Sequence, residues 1–259
     1  MTKSRHYDDT HKEMAAIRFT YGTGESRFPS SMKDWRGNQA VPMTLKQIAD
    51  VNFPTRWADF RLLAFESVQT SHKTGEEVPE TALALLLGDI RSSPPVVRVH
   101  SQCMTGDVFH SLRCDCRDQL HLALRVIAEE RAGVLLYEHQ EGRGIGLMEK
   151  LRAYELQDRG LDTIEANLRL GHAVDLRDYA LPVEILRFLG IRSLRLMTNN
   201  PDKINAVSAA GIEIVERVSA DVPDNPHSAH YLATKRNRLG HLCSPDNDFR
   251  SSQTAPHRH

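Results

Sequence analysis

The chain has 259 residues, enough for one large domain or two small ones. Hydrophobic residues make up 40% and charged residues 26%, so an ordinary soluble globular protein is expected. The net charge of −1 gives no general pull toward nucleic acid or an anionic membrane, so phosphate binding would need a local cluster of cations.

Residues 1–47 are polar, with Gly, Ser and Pro scattered through GTGESRFPSS. They are expected to form an N-terminal extension, partly disordered or lying on the surface. MTKSRHYDDTHKEM has no apolar core like that of a signal peptide, and no apolar run reaches the roughly 20 residues of a membrane helix. A cytoplasmic location and no membrane partner are the expectations. ADFRLLAFES from Ala58, TALALLLGDI from Thr81 and Val96–His100 read as strands. From Asp118 onward helices and strands alternate. DQLHLALRVIAEE places Leu120, Leu124, Ile127 and Ala128 on one helical face, with Gly133 as a stop. VLLYEHQ reads as a buried strand, LMEKLRAYELQDRG as a helix closed by Gly160, and LPVEILRFLG as a helix ending at Gly190. LRLMTNN is a strand, DKINAVSAAG a helix ending near Gly211, and IEIVERV a returning strand. The pattern predicts one compact α/β domain over residues 48–243, a mixed sheet flanked by helices, followed by a flexible tail over 244–259.

Three of the four cysteines fall in VHSQCMTGDVFHSLRCDC, as Cys103, Cys114 and Cys116. Cys-x-Cys is a poor geometry for a disulfide, so the cluster reads better as a metal site. Three thiolates suit tetrahedral zinc. A fourth ligand would close the site, with Cys243, His100 and His110 as candidates. An open position would leave room for water, which zinc makes acidic enough to ionise near neutral pH. The bland alternative is three small apolar side chains lining a strand and a turn.

QEGRGIG follows a buried strand and is expected to open a helix. Its glycines let backbone amides approach an anion, and Arg143 adds a guanidinium. It lacks the Gly-Lys-Ser/Thr of a Walker loop. In TNNPDK, Asn200 or Asp202 could cap the next helix, which puts Lys203 in its first turn. A lysine there opposes the helix dipole and hints at a phosphate partner, against the plain reading of a solvated lysine. VDLRDY gathers Asp175, Arg177 and Asp178 in what could equally be an ordinary charged loop.

Taken together, RVHSQCMTGDVF, SLRCDC, YEHQEGRGIGLMEKLRAYELQDRGLDTIEAN, DLRDY, LMTNNPDK and YLATKRNRLGHL resemble the GTP cyclohydrolase II family from about residue 50 to residue 243. The resemblance implies zinc on Cys103, Cys114 and Cys116 with the fourth position open. It implies nucleotide contacts from Arg98, Val99, His100, Ser101 and Gln102, from Gln119, from Glu141, Gly142 and Arg143, and from Thr163, Thr198 and Lys203. Asp175 matches the family's proton acceptor, Arg177 an arginine acting at the α-phosphate, and Tyr154 a tyrosine at ring opening. Magnesium with the triphosphate and a homodimer are implied as well. The family often has Glu at the position of Gln102 and Gly at that of Arg117. Glycine at the latter would suit a backbone angle that arginine strains, or else Arg117 adds charge near the metal.

The implied reaction is hydrolysis of GTP. The imidazole ring opens at C8, formate and pyrophosphate leave, and the product is 2,5-diamino-6-(5-phosphoribosylamino)pyrimidin-4(3H)-one, the first step of riboflavin biosynthesis. Gln140 or Glu141 is expected to pair with the guanine N1–H and 2-amino group. Two rivals remain at this stage. One is a paralogue acting on another nucleotide or base, in pyrimidine catabolism or secondary metabolism, favoured by Gln102, Arg117 and the extension. The other is a non-catalytic zinc-stabilised binding module, favoured by TKRNRLGH and opposed by the neutral charge and the lack of an aromatic stacking set.

Overall fold

The computed structural model describes residues 44–70, 77–173, 175–223 and 225–242. The expectations for residues 1–43, for the tail from 244 and for Cys243 lie outside the described residues. The strands are β1 Thr44–Pro54, β2 Asp59–Thr70, β3 Glu77–Leu87, β4 Val96–Ser101, β5 Gly133–Glu138, β6 Ser193–Met197 and β7 Glu213–Val218. The helices are α1 Met104–Asp107, α2 Cys116–Glu130, α3 Leu147–Asp158, α4 Thr163–Arg169, α5 Ala180–Phe188, α6 Pro201–Ala209 and α7 Ala229–Leu239. All strands join one mixed sheet in the order β1-β2-β3-β5-β4-β6-β7. β1, β2, β3 and β5 are successively antiparallel, and β5, β4, β6 and β7 are parallel.

Successive residues of a strand point to opposite faces, so the apolar runs divide into two cores. Ala84, Leu86, Val97, Val99, Val134 and Leu136 pack on one face with Leu181 and Ile185 of α5 and Val207 of α6. Leu85, Val96 and Leu135 pack on the other with Ala123, Leu124 and Ile127 of α2. Burial on both faces explains why β5 reads as a nearly unbroken apolar segment and why β4 keeps Val96, Val97 and Val99 inside. The connection through α2 places β5 on one side of β4, and the connection through α5 places β6 on the other. Such a divergence opens a crevice at the carboxyl ends of the strands.

Two local expectations are corrected and two local features are added. Residues 44–47, placed in the extension, belong to β1, which pairs with β2 from Thr44↔Val68 onward. Helix α2 ends at Arg131 in a left-handed conformation (φ 56°), and Gly133 instead begins β5. The QEGRGIG segment makes a 3-10 turn over Glu141–Gly144, with Gly142 and Arg143 both left-handed, before α3 starts at Leu147. Helix α4, not anticipated, starts at a capping box in which Asp162 accepts from Ile164 and Glu165 N–H and Glu165 accepts from Asp162 N–H.

Gly88 shows how tightly the end of β3 seats on the end of α2. Its φ is +63°, and an added Cβ would lie 2.0 Å from the Arg131 carbonyl oxygen. Backbone must therefore move to admit it. Gly88→Ala is expected to lower stability by about 2 kcal/mol or more in urea unfolding. An unchanged midpoint would contradict this packing.

Candidate active site

The crevice beyond β4, β5 and β6 is an open cleft of about 1080 Å³ including its mouth. It gathers Arg98, His100, Ser101, Gln102, Cys103, Cys114, Cys116, Gln119, Glu141, Gly142, Arg143, Tyr154, Thr163, Arg177, Thr198 and Lys203. Residues from six separate stretches of sequence thus share one cavity. Two predicted residues sit differently. The Val99 side chain packs in the core, and only its carbonyl oxygen takes part, accepting from Lys203 Nζ at 2.8 Å. Asp175 lies behind Arg177, off the cleft wall.

The sulfurs of Cys103, Cys114 and Cys116 lie within 4.8 Å of one another, with Cys103 and Cys114 Sγ 3.7 Å apart. Ligands about 2.3 Å from a tetrahedral zinc are roughly 3.8 Å apart, so the donor set fits that ion. Left to protons alone, the cluster settles unevenly. Hydrogen bonds from the other two thiols hold Cys103 far below its ordinary range, against burial and with help from Lys150. Its bond to Cys103 pushes Cys114 up to about 11, and bonds to both neighbours together with burial raise Cys116 further. A dication is the counter-charge that lets all three ionise. Among the described residues, only these three form such a group. Of the fourth-ligand candidates, His100 Nε2 is directed to Asp107 and His110 is exposed.

The surrounding loop is built to bring the sulfurs together. A Cβ on Gly106 would meet Cys114 Sγ at 2.9 Å and Cys103 Sγ at 3.2 Å. Asp107 accepts from Cys103 N–H at 3.0 Å and from the Tyr137 hydroxyl at 2.9 Å, and pairs with His100 Nε2 at 3.2 Å. Burial, together with the charge of Arg98, lowers the His100 pKa despite Asp107, which leaves a neutral ring. Glu141 Oε2 accepts from Met104 N–H at 2.6 Å, tying the cysteine loop to the turn after β5.

The expected guanine readers, Gln140 and Glu141, also hold loops together. Glu141 Oε1 also accepts from Gly142 N–H and from Lys150 Nζ, and the residue is buried. Gln140 Nε2 donates to the Asp178 carbonyl at 2.6 Å, and Gln140 Oε1 accepts from Asp178 N–H at 2.9 Å. Both side chains brace loops where they line the cleft. Lys150 was missed altogether, because a lysine in a polar helix looks like solvated surface.

Arg98, Arg143, Arg177 and Lys203 bring four cationic side chains to the same cleft. Arg98 donates to Met197 O and to Gln119 Oε1. Lys203 is buried, contrary to the solvated reading, and its pKa is driven well down by burial and by the charges of Arg177 and Arg98. Asn200 caps α6 by accepting from Asp202 N–H. Arg177 is gripped by Asp175 through Nε at 3.0 Å and Nη2 at 2.5 Å. Burial raises the Asp175 pKa, but the bonds and charge of Arg177 outweigh it and hold the carboxyl below its usual range. The loop bearing both is docked on the 3-10 turn, where Leu176 N–H donates to Arg143 O at 3.0 Å.

Tyr154 Oη lies 3.4 Å from Thr105 Oγ1, and its pKa is pushed up to about 12, chiefly by burial. Gln102 Oε1 pairs with His139 Nδ1 at 3.0 Å. Arg117 is an ordinary helical residue in α2 bonded to Asp118, and it does not line the cleft. It neither strains the backbone nor charges the cavity.

Gly106→Ala is expected to lower the metal content of the purified chain while leaving its far-UV circular dichroism close to wild type. Full metal occupancy in that variant would show that the loop yields without disturbing the sulfurs.

The sequence model of the family described as GTP cyclohydrolase II matches residues 46–219. The protein named GTP cyclohydrolase-2 of Yersinia pestis is 52% identical over 201 residues, covering 77% of this chain and 98% of that one. That of Enterobacter sp. (strain 638) is 51% identical over 203 residues, covering 78% and 100%. That of Baumannia cicadellinicola is 50% identical over 201 residues, covering 77% and 97%. The matched stretch includes all three clustered cysteines and Arg98, Arg143, Arg177 and Lys203 of the cleft, and on these grounds the chain belongs to the GTP cyclohydrolase II family.

Proposed function

We propose that this chain hydrolyses GTP, opening the imidazole ring at C8 and releasing formate and pyrophosphate. The product is 2,5-diamino-6-(5-phosphoribosylamino)pyrimidin-4(3H)-one, the first step of riboflavin biosynthesis. The supporting observation is one cleft lined both by three converging thiols and by the cationic side chains of Arg98, Arg143, Arg177 and Lys203. Cys103, Cys114 and Cys116 would hold zinc, which supplies Lewis-acid activation of water at neutral pH.

The cations account for the triphosphate. Arg98 and Lys203 carry positive charge that burial makes unfavourable, with Arg143 and Arg177 on the same cleft, and a bound polyanion relieves the crowding. Magnesium would accompany the phosphates and share their charge. Thr163 at the first turn of α4, Thr198 and Ser101 add hydroxyls to the same wall. Arg177 acts by stabilising charge on the phosphoryl group as pyrophosphate leaves. The Asp175 carboxylate beside it favours the protonated guanidinium, and a protonated guanidinium is not a nucleophile. With its pKa held down, Asp175 is a weak base, and its work is to aim Arg177. Tyr154 keeps its proton at neutral pH and serves as a hydrogen-bond donor during ring opening. The chain works as a homodimer, a reading that its family supports. β1 and β2 expose Ile48, Val51, Phe53 and Val68.

Incubation with GTP, zinc and magnesium should release formate and pyrophosphate in equal amounts, with the triaminated pyrimidine nucleotide seen by mass spectrometry. Chelating the zinc should stop formate release while the fold persists by circular dichroism. Absence of formate from the zinc-loaded protein would sink the proposal. Arg177→Gln should slow pyrophosphate release by about 100-fold or more. A nucleotide adduct trapped on Arg177 would instead establish a covalent route.

A further inference from the structure

The cysteine cluster has a counter-charge built beside it. Lys150 lies in α3, one turn before Tyr154. Its Nζ is 3.0 Å from Cys103 Sγ, 2.9 Å from Thr105 Oγ1 and 2.7 Å from Glu141 Oε1. An ammonium has three donors, and these contacts use them all. The side chain is only 12% exposed, so water screens its charge weakly. Three thiolates on a divalent ion leave a net charge of −1, and electron-rich sulfur weakens the ion as a Lewis acid. A cation donating to one of those sulfurs draws density from it and offsets that charge.

We propose that Lys150 is a positioning residue for the metal centre: it orients Cys103 and offsets the negative charge of the three thiolates, and it does not bind the nucleotide. This rests on the reading of the cysteines as the metal site. Glu141 then has a clear task, since it holds the ammonium against the sulfur and the cysteine loop against the turn after β5.

Cobalt(II) in the full-length protein reports on both points. The wild type is expected to take up cobalt at the cysteines and show thiolate-to-cobalt charge-transfer absorption. In Lys150→Met the band should move to longer wavelength, because no cation steadies the sulfur electrons, and zinc affinity by chelator competition should fall about 10- to 100-fold. Lys150→Arg should bring the band back toward wild type. Lys150→Gln, a neutral donor, carries the measurement where the methionine variant does not retain cobalt. A band that stays in place in a loaded neutral variant overturns the role of Lys150. If both neutral variants lose the ion, its retention by Lys150→Arg decides for the charge, and its loss there decides against. A wild type that takes up no cobalt at the cysteines overturns the metal reading itself.

Discussion

Three sulfurs forced close together are the constraint around which the cleft is organised. As thiolates they repel, and as thiols they bury weak donors among poor acceptors, so their convergence is unfavourable until a cation joins them. The chain maintains it with parts of no other obvious use. Gly106 leaves the space that any side chain would fill, Asp107 fixes the Cys103 backbone, and Glu141 locks the loop to the neighbouring strand end. The short helix α1 is the visible result, with Cys103 at its start and no side-chain cap of its own.

The opposite imbalance fills the rest of the cavity. Arg98, Arg177 and Lys203 each raise the electrostatic cost of the others. Glu138 lies among these charges but answers little of them near neutral pH. Burial pushes its pKa up to about 8, against the pull of Lys203 and Arg177. A half-compensated cluster of this kind resembles a functional site more than a stabilising network.

Much of this was legible in the order of residues, for reasons that differ by element. β2, β3, β4 and β5 show as apolar runs because one or both of their faces are buried. β1 does not, since Leu45 alone among its residues is buried and nothing alternates. Helix α4 was readable in principle from Asp162 and Glu165 spaced as a capping box, and was passed over because it is short. The cysteines and arginines stood out by type and spacing. Lys150 did not, because two of its three partners are 45 and 47 residues away and its own neighbours are those of a solvated helix. Gln140 and Glu141 carry a second task that spacing does not show. Their amide and carboxylate match a guanine edge on paper, and they also bond backbone groups of adjoining loops. Spacing reveals which chemical groups are present, and only packing shows which are still available.

Gln140 clasps both backbone groups of Asp178, and Leu176 is bonded to the turn that Glu141 opens. The arginine-bearing loop and the support of the metal loop are thereby welded into one unit. Loosening the loop that carries Arg177 disturbs the support of the cysteine loop, and the reverse holds too. On the proposed reading, a descendant that performed a single hydrolysis in place of two would first have to cut that weld, so the fold itself resists dividing the labour.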